Sequence, residues 1–137
     1  QEILLKLKMA QFDHLASMLN HIINSKRVRK RECQFRPSSK LLLGVLEIMK
    51  NGGYIEEFKS VKDSRGGYIE IKLGKLNFCK AIKPRFNVKK ENFDKYVRRY
   101  LPSRNLGIII VSTTKGLMTQ GEAIEQNLGG RLLAFCY

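Results

Sequence analysis

The spacing of apolar residues in the first half of the chain predicts two amphipathic helices. Between residues 12 and 24, apolar residues follow the i, i+3, i+4, i+7 spacing that keeps side chains on one helix face. A second stripe, from Leu42 to Met49, follows residues 37–39, where a serine can cap the helix start, and residues 51–53 end that helix with two glycines. A short strand at residues 33–36 is predicted between the two helices.

Two strands are predicted after the second helix, at residues 54–61 and 68–73. The Gly, Asp and Ser content of residues 62–67 is typical of the turn of a hairpin. The first half of the chain therefore has the predicted order α-β-α-β-β.

The pattern changes near residues 76–84. Residues 80–104 are basic and irregular, with a short helix indicated by Phe93, Tyr96, Val97 and Tyr100. The predicted fold class is therefore α/β (α+β), built from two small, closely packed parts. Residues 1–80 form the α-β-α-β-β part, and residues 81–137 form a mixed α/β part with short strands and a short helix.

The last forty residues contain the clearest strand. Residues 106–111 are uninterruptedly apolar, as expected for a strand buried on both faces, and residues 112–116 follow as a polar loop leading to a helix. Thr119 and Glu122 have the spacing of a capping box, so that helix should begin at Gln120. Residues 129–130, both glycine, should end the helix, and residues 131–137 should form a final strand.

The net charge of the chain limits the kinds of partner that it can bind. The 137 residues include 26 Lys and Arg against 12 Asp and Glu, a net charge of +14. A folded domain with this much uncompensated charge repels itself unless a polyanion neutralises it, which could be nucleic acid, an anionic membrane or an acidic protein. No apolar run approaches the roughly 20 residues needed to cross a bilayer, and neither a signal peptide nor a basic amphipathic membrane helix is indicated. Nucleic acid is therefore the leading partner.

The residues that could carry enzyme chemistry do not form a recognisable site. No phosphate-binding, dinucleotide-binding or HExxH motif occurs, and His14 and His21 share a helix face without an evident third metal ligand. Three widely spaced cysteines, Cys33, Cys79 and Cys136, favour buried reduced thiols over disulfides or a metal site. We therefore predict no catalytic residue, metal, cofactor or small-molecule substrate.

Two basic stretches are candidate phosphate-binding segments. Residues 26–40 carry seven cations and one acid, which is denser than solubility requires, although a solvated charged loop is the alternative. Residues 80–104 are the second stretch. The cations predicted to contact RNA are Arg27, Arg29, Lys30, Arg31, Lys40, Lys83 and Arg85.

The loop Ser112-Thr113-Thr114-Lys115-Gly116, here called the hydroxyl segment, is the candidate for RNA positioning. Short hydroxyl side chains suit the wide, shallow minor groove of A-form RNA, with its 2′-hydroxyls and base edges. Lys115 can meet a flanking phosphate, and Gly116 permits close approach of the backbone. The alternative is an ordinary polar turn with a capping threonine.

Residues 106–119, with Glu122-Ala123 and Gly129-Gly130, closely resemble the C-terminal signature of the ribosomal small-subunit protein eight family. The first half agrees in order, through residues 13–24, 36–40 and 53–55, so the resemblance covers about residue 10 to Tyr137. Where the family has Ser-Thr-Ser, this chain has Ser112-Thr113-Thr114. Arg131 stands where the common bacterial pattern has an acid, and residues 101–104 look like the eukaryotic cytosolic branch.

The resemblance implies a structural protein of the small ribosomal subunit. It implies binding to a helix of the central domain of the small-subunit ribosomal RNA, a role in subunit assembly and translation, and neighbouring small-subunit ribosomal proteins as partners. The implied location is the cytoplasm, in the ribosome. The family's serine–threonine loop contacts the RNA, which assigns the same contact to the hydroxyl segment.

Two other classes of function compete with this interpretation. An RNA-processing enzyme needs converging acid, base and nucleophile, which the sequence does not present. A DNA-binding regulator usually has a helix-turn-helix, whereas about thirteen residues and a strand separate the first two predicted helices.

Overall fold

The computed structural model describes residues 14–36, 38–83, 85, 87–103 and 105–137. In chain order the elements are α1 (His14–Arg27), β1 (Glu32–Phe35), α2 (Lys40–Asn51), β2 (Ile55–Val61), β3 (Tyr68–Leu73), β4 (Cys79–Ala81), β5 (Asn87–Val88), a 3₁₀ turn (Lys90–Asn92), α3 (Phe93–Tyr100), β6 (Ile108–Thr113), β7 (Gly116–Thr119), α4 (Gln120–Glu125) and β8 (Gly130–Cys136). Within these described residues, four helices and eight strands in two sheets confirm the predicted α/β class.

The first sheet has the order β1-β3-β2 and is antiparallel throughout. It is formed by the α-β-α-β-β segment, whose order matches the prediction. Ser39 caps α2 because its side chain accepts a hydrogen bond from the Leu42 amide at 3.3 Å. The β2–β3 turn is held by Asp63, which accepts hydrogen bonds from the Arg65 and Gly67 amides. Local sequence signals were therefore sufficient for the order of elements in this half.

Helix α1 extends beyond the predicted residue 24. It runs to Arg27, so Lys26 and Arg27 belong to its last turn rather than to a loop. Ser25 is buried, and the Lys26 ammonium donates a hydrogen bond to the Gly74 carbonyl at 3.1 Å. Contact with the chain beyond β3 therefore holds a polar turn in the helix, which the local pattern does not reveal. Residues 12 and 13 of the predicted helix lie outside the described residues.

The second sheet has the order β4-β8-β6-β7, and β5 also pairs with β8. β4 and β5 were not predicted as strands. They are only three and two residues long, and they take their extended form from pairing with β8 more than fifty and forty residues later, respectively. β4 spans residue 80, and the division of the chain into residues 1–80 and 81–137 stays a prediction.

The apolar strand begins and ends later than predicted. β6 starts at Ile108 because Gly107 adopts φ +99, and a Cβ there would lie 2.7 Å from the Cys136 carbonyl oxygen. Leu106, predicted to be in the strand, is 47% exposed. β6 continues through Thr113 and returns as β7, so the hydroxyl segment is the end of a β-hairpin and not a strand-to-helix loop.

Helix α4 begins at Gln120 as predicted. Thr119 caps it by accepting a hydrogen bond from the Glu122 amide at 3.3 Å. The helix ends at Glu125, before the predicted glycine pair, and Asn127 takes a left-handed conformation with φ 56. The glycines serve strand packing instead. A Cβ on Gly130 would lie 2.5 Å from the Ser112 carbonyl oxygen, so only glycine permits this approach of β8 to β6.

The second sheet is buried on both faces. Ile110 and Cys136 pack with α1, α2 and the inner face of the first sheet, whereas Ile109, Val111 and Phe135 pack with α3 and α4 on the other side. This arrangement confirms that the apolar run of β6 is doubly buried. It also fixes the end of the β6–β7 hairpin on a rigid support.

No helix within the described ranges is long and apolar enough to span a membrane. The three cysteines are free and buried, as expected.

Candidate nucleic-acid interface

The hydroxyl segment forms the tip of the β6–β7 hairpin. Thr113 and Gly116 are register partners, and Thr114 and Lys115 form the two-residue turn between them. The Thr113 hydroxyl donates a hydrogen bond to the Gly116 carbonyl at 2.9 Å and accepts one from the Lys115 amide at 3.2 Å. Gly116 takes φ +111, which favours glycine. Thr113 therefore holds the turn, and the exposed Thr114 and Lys115 are presented at its tip.

Ser112 faces the α2 side of the sheet. Its register partner on β7, Leu117, packs on α2, where a Cβ added to Gly44 would lie 2.7 Å from Leu117 Cδ1. Cross-strand partners point to the same face of a sheet, so Ser112 lies on this side as well. Lys40 is one turn before Gly44 on the same helix face, which brings this exposed predicted cation to the hairpin's side.

Two further polar residues join Ser112 in one row across the sheet. Ser112 pairs with Arg131 of β8, and Arg131 pairs with Asn87 of β5. The Arg131 Nε donates a hydrogen bond to the Asn87 Oδ1 at 3.3 Å, and Arg131 is exposed. Sequence reasoning did not propose these residues as site residues. The sequence does show a cation, Arg131, directly after the glycine pair. Only the strand register shows that this cation lies beside Ser112.

The turn after α1 gathers a second group of cations. Arg29 adopts φ 61, and the amides of Arg29 and Lys30 donate to the carbonyls of Lys26 and Ser25, both at 3.0 Å. These two bonds form a Schellman motif, in which the left-handed position is usually glycine. The cleft beside the turn has a volume of about 290 Å³ and is lined by Lys26, Arg29, Lys30, Arg31, Leu73 and Gly74.

The remaining predicted cations lie in three places. Arg27 is exposed at the end of α1. Arg85 is exposed two residues before Asn87, and therefore close in sequence to the row that includes Ser112. Lys83 lines a different groove, at the β4 edge of the same sheet. The structure thus brings Lys40 towards the hydroxyl segment, groups Arg29, Lys30 and Arg31 elsewhere, and separates Lys83 from both groups, whereas Arg85 is located only by its place in the chain before β5.

The outer face of the first sheet has a different charge. Lys72 lies between Glu32 and Glu57 in the strand register, and Lys59 is beside Glu70. Three acids against two cations make this face unsuitable for a polyanion, although the chain as a whole carries +14. The positive charge is therefore concentrated on the other surfaces.

The chemistry of the thiols and histidines does not suggest a reaction. Burial raises the pKa of the Cys79 thiol to about 12, and burial together with the neighbouring Cys79 raises the pKa of Cys136. Both thiols therefore stay protonated at neutral pH and are poor nucleophiles. His21 packs its ring against Phe35 at a centroid distance of 6.2 Å. In the part of the chain that the structure describes, no group of three His, Cys, Asp or Glu could hold a metal ion.

A comparison with protein families identifies the family of the chain. The family model described as ribosomal protein S8 matches residues 13–137, which is nearly the whole chain. The match includes both the hairpin and the turn after α1. The chain therefore belongs to the ribosomal protein S8 family, a family of structural, non-enzymatic proteins of the small ribosomal subunit that bind ribosomal RNA.

Proposed function

We propose that this chain binds a helix of the central domain of the small-subunit ribosomal RNA, through the hydroxyl segment, and thereby supports subunit assembly and translation in cytoplasmic ribosomes. The observation that carries the proposal is the geometry of the hairpin tip. Thr114, Lys115 and Gly116 are exposed on a hairpin whose base is buried on both faces, and Thr113 closes the turn internally.

The shape of this tip suits the minor groove of A-form RNA. That groove is wide and shallow and displays 2′-hydroxyls, which both donate and accept hydrogen bonds. The exposed Thr114 hydroxyl and the Ser112 hydroxyl can do the same, while Lys115 and Arg131 are placed for the flanking phosphates. Because the sheet already holds the tip, little ordering accompanies binding.

The cations supply affinity in this proposal. Arg29, Lys30 and Arg31 are exposed around one cleft, so a phosphate entering it meets several positive charges at once. Arg27, Lys40, Lys83 and Arg85 extend the positive surface. Each phosphate contact releases counterions, which makes binding dependent on salt but not on sequence.

The test compares two variants in their binding to a central-domain RNA helix. Ser112→Ala with Thr114→Ala removes two hydroxyls without touching the Thr113 turn, and should weaken binding about 5- to 150-fold, at about 0.5 to 1.5 kcal/mol per hydrogen bond. The dependence of log affinity on log salt should keep its slope, because no charge is lost. Arg29→Ala with Lys30→Ala and Arg31→Ala should instead lower that slope by roughly three units, about one per lost phosphate contact.

Ser64→Ala is the matched control, since Ser64 is an exposed serine in the β2–β3 turn. It should leave binding unchanged. RNA of equal length and unrelated fold, and duplex DNA, should respond to the hydroxyl variant much less than the central-domain helix does. If the folded hydroxyl variant binds that helix as tightly as the original chain, the hairpin tip does not position the RNA.

A further inference from the structure

A groove at the β4 edge of the second sheet combines aromatic rings with cations. It has a volume of about 600 Å³, within the range of roughly 300 to 1,000 Å³ usual for small-ligand sites. Helix α1 and strand β4 form two of its sides, and the end of α3 forms another. β4 and β7 are at opposite edges of the sheet, about 14 Å apart at the usual strand spacing, so this groove is separate from the hairpin tip.

The apolar part of the groove is a group of packed rings. Tyr100 of α3 stacks on Phe135 of β8 with ring centroids 5.1 Å apart, and Phe78 packs on Phe135 at 6.0 Å. Phe135 is buried, whereas Phe78 and Tyr100 are half-buried and line the groove. The rings are thus fixed by one another, and Arg99 lies over the Tyr100 ring, with its guanidinium carbon 5.5 Å from the ring centroid.

The polar part is positive. Lys80, Lys83 and Arg99 line the groove, come from different segments and are all exposed, and Asn20 adds a neutral amide from α1. The described lining residues include no acid. The groove therefore complements a ligand that is planar and apolar in one part and negatively charged in another.

We propose that this groove binds an unpaired nucleotide of RNA, with its base against the packed pair of Arg99 and Tyr100 and its phosphate at Lys80. Each unit of a single strand carries a planar base and a phosphate, which is the combination that the lining offers. Aromatic platforms beside cationic residues are how proteins hold single-stranded RNA. An acidic peptide would satisfy the cations but would need an aromatic side chain at one particular place. The inference rests on the proposed RNA-binding function and adds a second contact to it.

The probe is a single-stranded RNA hexanucleotide of mixed sequence, added to the full chain and measured by titration. Tyr100→Leu keeps an apolar side chain but removes the ring, and should weaken hexanucleotide binding about 5- to 140-fold, the usual range for one stacked base. Tyr100→Phe keeps the ring and should retain the binding. Lys80→Gln should lower the salt slope by about 0.7, the value for one phosphate of a single strand.

Matched controls come from the first sheet. Tyr68→Leu and Lys72→Gln make the same chemical changes outside the groove and should leave hexanucleotide binding unaltered. The proposal is overturned if Tyr100→Leu and Lys80→Gln, shown by melting curves to be folded, bind the hexanucleotide like the original chain. It is also overturned if an acidic peptide with one phenylalanine binds in a Tyr100-dependent manner and the hexanucleotide does not.

The Ser112→Ala, Thr114→Ala variant separates this proposal from the proposed function. It should bind the hexanucleotide normally while losing affinity for the central-domain helix. Failure of the hairpin proposal alone would therefore leave the groove result intact, and the reverse also holds.

Discussion

At the residue scale, left-handed backbone conformations mark positions where geometry and side-chain chemistry conflict. Of the described non-glycine residues, only Arg29 and Asn127 have positive φ. Asparagine tolerates this conformation, whereas arginine has no such compensation. Arg29 occupies the position of a Schellman motif that glycine usually fills, so an arginine there indicates that its side chain is used for something other than stability.

Replacing Arg29 by glycine should therefore change stability and RNA binding in opposite directions. Glycine removes the strain, and the free energy of unfolding should rise by roughly 0.5 to 1 kcal/mol. The loss of one phosphate contact should weaken RNA binding and lower its salt slope by about one unit. Denaturant unfolding and salt-dependent binding measure the two effects. Lys30→Gly, at a position without positive φ, should weaken both properties, and a destabilised Arg29→Gly variant would refute the strain argument.

The second prediction at the residue scale is that stability depends on acid pH through Asp63. The Arg36 guanidinium, at 2.6 Å, and the Gly67 and Arg65 amides hold the pKa of Asp63 well below its usual value of 3.8. A depressed pKa stabilises the fold above the usual pKa, and that stabilisation is lost as pH falls towards the folded value. Asp63→Asn should thus be less stable than the original chain at pH 7, and the difference should shrink below about pH 4.

Salt provides the control for Asp63, because the pair is exposed. At 1 M salt the screening length is about 3 Å, so the difference between Asp63→Asn and the original chain at pH 7 should decrease. A difference that persists undiminished at pH 2 would mean that the ion pair does not link the β2–β3 turn to Arg36 in solution.

At the scale of elements, two adjacent threonines of the β6–β7 hairpin have different roles. Thr113 has both its donor and an acceptor site engaged within the turn, whereas Thr114 is exposed at the tip. The triple hydroxyl sequence looks uniform, but strand alternation and the turn hydrogen bonds separate its members. Stability and binding can therefore be separated by identical substitutions at neighbouring positions.

Thr113→Val should destabilise the chain by about 1 to 2 kcal/mol, because two hydrogen bonds of the turn are lost while strand propensity is kept. Thr114→Val is the matched control and should change stability by less than about 0.5 kcal/mol, as is usual for exposed sites. In melting curves, Thr113→Val should be the less stable variant. In binding to the central-domain helix, expressed per folded molecule, Thr114→Val should be the weaker variant. Equal stability of the two variants would mean that the Thr113 hydroxyl does not hold the turn.

At the scale of the whole molecule, positive charge is distributed over several surfaces but is balanced on one. The cleft after α1, the hairpin tip and the groove at β4 all present cations, and the outer face of the first sheet alternates Glu32, Lys72 and Glu57. This distribution suits a protein that touches RNA on several sides and exposes one nearly neutral face. Neighbouring ribosomal proteins, which the family implies as partners, can approach that face without competing with phosphate.

The sequence by itself determined the fold class, the α-β-α-β-β order, both helix caps and the doubly buried strand, because these depend on short-range periodicity and capping chemistry. Thr119 caps its helix as predicted, and the serine cap predicted for α2 is Ser39. The sequence also determined the overall positive charge and showed the family resemblance. The match over residues 13–137 confirms that resemblance.

Tertiary structure alone decided the features that depend on partners distant in sequence. β4 and β5 are extended because β8 pairs with them, and α1 keeps its last turn through the Gly74 carbonyl. The hairpin return, the row of Ser112 with Arg131, and the groove between α1, β4 and α3 arise in the same way. Strand pairing and burial of polar turns are set by which segments meet in space, and a window of neighbouring residues contains no information about that.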